Sequence, residues 1–135
     1  MGTWDTSPFG NDTAADFAGD LDDLPAEDRP EAIRKALSAA VRETDYLDSH
    51  EGVQAVAAAA IVAAQCPNGR PVDAIYGPDE PVPPLPADLR PLALTALDQV
   101  VADTSELRQL WDDAEHAQEW RTEINHLRKA LSPEP

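Results

Sequence analysis

Residues 53–64 (VQAVAAAAIVAA) constrain this chain more than any other stretch. Gln54 is the one polar residue in a run of alanine, valine and isoleucine. A helix that is apolar all round has no face to offer water, so it belongs at the centre of a fold. The run is too short to cross a bilayer. Alanine loses no side-chain entropy in a helix and lets neighbouring axes approach closely. Aromatic residues make up only 5% of the chain, so alanine, leucine and valine must fill the core. The expectation is an all-α protein with this segment as its buried axis.

Apolar residues elsewhere recur at helical spacing, as such an axis requires. Asn11 or Asp12 is placed to cap a first helix reaching about Asp23, because an Asx oxygen accepts first-turn amide hydrogens. Ala14, Phe17, Ala18, Leu21 and Leu24 form its apolar face, and Asp12, Asp16, Asp20 and Asp23 an acidic one. Asp28 with Glu31 resembles a capping box for a second helix, from about Pro30 to Thr44. Ile33, Ala36, Leu37, Ala40 and Val41 are its stripe. Asp48 or Ser49 opens the central helix, with Glu51 available for reciprocal capping, and Asn68-Gly69 and Pro71 stop it. Pro91 suits the first turn of a fourth helix ending near Ala102. Asp103 with Glu106 is a further capping box, ahead of Leu107, Leu110, Trp111 and Ala114. Ala117, Trp120, Ile124, Leu127 and Leu131 follow. The steps from Ala114 to Ala117 to Trp120 slip the helical phase, which predicts an overwound turn, kink or break near Asp113 to Gln118, and so two helices or one bent one.

Residues 67–86 carry too many prolines for a regular helix and read as an irregular connector. Val72, Ile75, Tyr76 and Leu85 are available to pin it to the bundle. Its PxxP spacings have acidic neighbours rather than flanking arginine, which favours a packed connector over a polyproline ligand. Residues 132–135 read as a frayed tail. The whole of 1–135 is expected to be one compact bundle of five or six helices with a Pro-rich connector.

The formal net charge is −16. That field opposes phosphate backbones and anionic lipids, so neither nucleic acid nor a membrane is an expected partner. It serves solubility, or it faces a basic protein. Cys66 is the one cysteine, so no internal disulfide forms and a reducing cytoplasm is expected. No basic segment followed by an apolar stretch marks a secretory signal.

Catalytic signatures are missing: no Gly-x-Ser-x-Gly, no phosphate loop, no His-Glu-x-x-His and no Cys-x-x-Cys. Glu123 and His126 form one Glu-x-x-His unit, with Glu119 one turn earlier and Glu115 or His116 nearby. Di-metal bundles need two such units, so ordinary helix-surface pairing explains the pattern, with a metal site as the alternative. No cofactor is expected otherwise. Trp4, Trp111 and Trp120 read as core anchors.

The opening carries Met1, Gly2, Trp4, Phe9, Asn11, Asp12, Ala14 and Asp16 at fixed spacing. It resembles a bacterial domain-of-unknown-function family, 4259, whose members open Met-Gly-x-Trp-Gly-x-Gly-x-Phe-x-Asn-Asp-x-Ala-x-Asp. Asp5 and Ser7 stand where the family has glycine, which argues against a ligand loop built on bare backbone. Residues 103–111 (DTSELRQLW) and Glu119-Trp120 also look like the family. The resemblance implies a helical fold and no defined activity. Trp4 and Phe9 are placed to fold over the first helix; the functional alternative is a small polar binding site of Trp4, Asn11, Asp12, Asp16 and Asp20.

These features lead to three functional expectations. The first is an acidic, non-catalytic protein-interaction module, immunity- or antitoxin-like, that covers a basic protein. The second is a metal-binding protein or small metal-dependent enzyme using Glu119, Glu123 and His126. The third is an architectural homodimer formed by self-association.

Overall fold

The alanine-rich run forms a helix with almost no wet side. The computed structural model describes residues 12–43, 45–65, 85–86, 88–102, 104–112 and 117–131. Among the described residues are six α-helices: α1 Asp12–Asp22, α2 Arg29–Arg42, α3 Ser49–Ala64, α4 Leu89–Val100, α5 Glu106–Asp112 and α6 Ala117–Leu131. A short 3-10 turn, Ala26–Asp28, leads into α2. Among the described residues the one β-type pairing is an isolated parallel bridge between Leu47 and Ser105. No helix of these residues is long and apolar enough to cross a membrane.

Gly52, Val53 and every residue from Ala55 to Ala63 are buried in α3. This helix packs against all five others. Small side chains in its neighbours suit close packing: Ala14 and Ala18 of α1, Ala36 and Ala40 of α2, Ala93 and Ala96 of α4 are all buried. Larger side chains, Leu21, Ile33, Leu37, Leu97, Ile124 and Leu131, fill the spaces between helices. Gly52 marks one close approach, where an added Cβ would sit 3.3 Å from Leu107 Cβ of α5.

The helix ends show which local signals prevail. Asp48 caps α3 as expected, its Oδ1 accepting the His50 amide at 2.7 Å. The partner from outside is Glu106, whose Oε1 accepts the Ser49 amide at 2.8 Å. The capping-box pair at Asp28 does not form: Asp28 makes no side-chain cap bond. The 3-10 turn supplies an alternative, because the Arg29 amide donates to Ala26 O. At α5 it is Ser105 whose Oγ accepts the Arg108 amide, at 3.3 Å. The central helix stops at Ala64, short of Asn68-Gly69, with the Gln65 amide bonded to Val62 O. Gln65 Oε1 then accepts the Leu85 amide at 2.9 Å, and Leu85 packs on the core.

The phase slip of the last third falls largely on residues outside those described, in the interval between Asp112 of α5 and Ala117 of α6. Trp111 and Trp120, both buried, stack across it with centroids 6.0 Å apart and planes 9° from parallel. Trp4, Phe9, Asn11, Cys66, Val72, Ile75, Tyr76, Asp103, Glu115, His116 and residues 132–135 lie outside the described residues.

Candidate functional site

Helical periodicity sends one side of α1 inward and the other outward. Phe17, Ala18 and Leu21 are buried, whereas Asp16, Asp20 and Asp23 are exposed. Of the opening binding set, Asp16 and Asp20 therefore stand one turn apart in solvent, and Asp12 is the first residue of the helix. Trp4 and Asn11 fall outside the described residues.

The α6 set is spread by depth. Glu119 is exposed, while Glu123 and His126 are half-buried. The His126 Nε2 atom is buried, with no hydrogen-bond partner among the described residues. No three histidine, cysteine or carboxylate side chains come together in metal-binding geometry among the described residues. Glu119 and Glu123 each have other interactions.

Cations are few, and several of the described arginines tie helices together. Arg34 of α2 makes a two-pronged contact with Asp88 before α4, at 2.6 and 3.2 Å. That hydrogen bond holds the Asp88 carboxyl below the usual carboxylate range and raises Arg34. Asp112 at the end of α5 takes Arg121 of α6 and Arg108 of its own helix. The Arg121 hydrogen bond, with Arg108 beside it, lowers Asp112. Arg128 reaches Asp98 at 2.7 Å, joining α6 to α4.

Two arrangements lie beyond what spacing alone reveals. Arg29 is buried at 7% exposure and its Nε donates to Leu21 O at 2.9 Å, satisfying a carbonyl at the end of α1. An arginine a few residues past a helix end is the signal that points to this role. The second is a junction of two linkers. The Leu47 amide donates to Thr104 O at 2.9 Å, and the Glu106 amide to Leu47 O at 2.8 Å. Partial loss of hydration, together with the negative charges of Glu106 and Asp48, raises the Tyr46 hydroxyl above its ordinary pKa. Leu110, which its stripe position places in the core, is instead exposed. In a helix this short Leu107 and Trp111 take the buried side, and Leu110 turns toward that of Glu106.

A family model, Domain of unknown function (DUF4259), matches residues 2–123. The chain belongs to this family. In this DUF4259 member the matched stretch takes in α1 to α5 and the first half of α6. No curated protein and no solved structure matches it.

Proposed function

We propose that this DUF4259 protein is a small, acidic, non-catalytic interaction module of the bacterial cytoplasm that covers a basic protein, as an immunity protein or antitoxin does. The observation carrying the reading is the formal charge of −16. Twenty-six carboxylates face ten lysines and arginines, so most have no cation of their own. Part of that excess stands clear of the core on the outer side of α1, at Asp16 and Asp20, and just past its end at Asp23. A field of this sign speeds encounter with a cationic surface and suppresses anionic competitors. The metal-binding alternative has less behind it, because Glu119, Glu123 and His126 sit at different depths on α6.

The reading is tested by affinity purification of the full chain from native lysate. A basic protein is expected to co-purify at low salt, with recovery falling as ionic strength rises. Recovery of no basic partner at low salt overturns it.

A further inference from the structure

Two large apolar side chains stand well out of the core among the described residues, Tyr46 at 48% and Leu110 at 47% exposure. A single exposed leucine or tyrosine needs no explanation. These two, however, come from segments far apart in sequence and are drawn to one place. The backbone bonds between Leu47 and residues 104–106 fix the two linkers side by side. Tyr46 directly precedes Leu47, which is bonded to the Glu106 amide, and Leu110 lies one turn beyond Glu106 along α5, about 40° round from it. Asp45 and Asp48, close to Tyr46 in the chain, are exposed. Arg108, on the same helix as Leu110, directs its guanidinium to Asp112 and to Val101 O.

We infer that this junction of the α2–α3 and α4–α5 linkers is the docking point for a partner segment that carries an apolar side chain flanked by lysine or arginine. The inference rests on the interaction-module reading and adds its location and the chemistry it accepts. An apolar side chain seated between the Tyr46 ring and Leu110 excludes water at the centre of a contact, where binding energy concentrates. Carboxylates at the rim favour cations beside it and steer them in. A second copy of this chain is the wrong occupant on charge, since it brings the same excess of carboxylates to the contact.

The test uses the full ¹⁵N-labelled chain at low salt and two synthetic probes. One peptide repeats lysine and leucine at helical spacing; the other contains the same number of lysines and no leucine. The lysine–leucine peptide is expected to shift the amides of residues 45–48 and 106–111. Tyr46→Ser combined with Leu110→Ser is expected to weaken that peptide about tenfold. Binding of the lysine-only peptide should stay within about twofold, because no carboxylate is removed. Circular dichroism checks that the double variant keeps its helices; Leu110→Gln alone serves if it does not. Shifts confined to other surfaces, with affinity unchanged in the variants, overturn this docking point and leave the interaction-module reading standing. Absence of binding by either peptide counts against both. A dimer that the same substitutions dissolve assigns the junction to a second copy and overturns the inference.

Discussion

Gly19 sits in α1 with its α-carbon facing open space: nothing lies within 4 Å of where a Cβ would be. It adopts no left-handed backbone angle, so an alanine there meets neither strain nor a clash. Gly19→Ala is expected to stabilise the protein by about 0.5–1 kcal/mol through helix propensity and unfolded-chain entropy. An upward shift of the urea midpoint at constant slope checks it. Gly52 is the contrasting case, because Leu107 Cβ, which has no flexible end to swing aside, is already close. Arg29 carries another lesson at this scale. Composition counts it as a surface cation, yet it is buried because the end of α1 leaves carbonyls in need of donors. Such a role depends on where a turn returns the chain, which residue type alone does not encode.

Between elements, the α5–α6 joint turns on Asp112, set between Arg108 and Arg121. The folded state lowers its pKa, so the bridge contributes fully above the ordinary carboxylate value and is lost as pH falls through the lowered one. Asp112→Asn is expected to be less stable than the parent at neutral pH by up to about 1 kcal/mol, given its exposure. Paired urea melts at descending pH should show the gap closing as the parent carboxylate takes up its proton. The order and bounds of the helices were legible because apolar spacing sets them: α1, α2, α4 and α6 end within a few residues of their stripes. Caps were less legible, since Glu106 reaches across from another segment to the start of α3. The exposure of Leu110 was hidden too, because a stripe residue on a two-turn helix is buried only if something covers that side. The candidate junction depends on that tertiary fact, whereas the α1 carboxylates could be read from spacing alone.

Over the whole molecule, charge sets the sign of the salt response. Local pairs such as Arg34–Asp88 weaken on screening, which lowers stability. Ten cations can neutralise at most ten of the twenty-six carboxylates, so repulsion among the remainder is the larger effect. The melting temperature is therefore expected to rise between about 0.01 M and about 0.15 M sodium chloride. A fall over that range, measured by calorimetry, would show that the interhelical pairs dominate instead. The placement of α3 bears on how the chain leaves the ribosome. Among the described residues, α1 and α2 precede it, while the other helices that pack on it lie beyond residue 88. Synthesis runs from the N-terminus, so for an interval the nascent protein holds its greasiest segment with half its shelter still unmade.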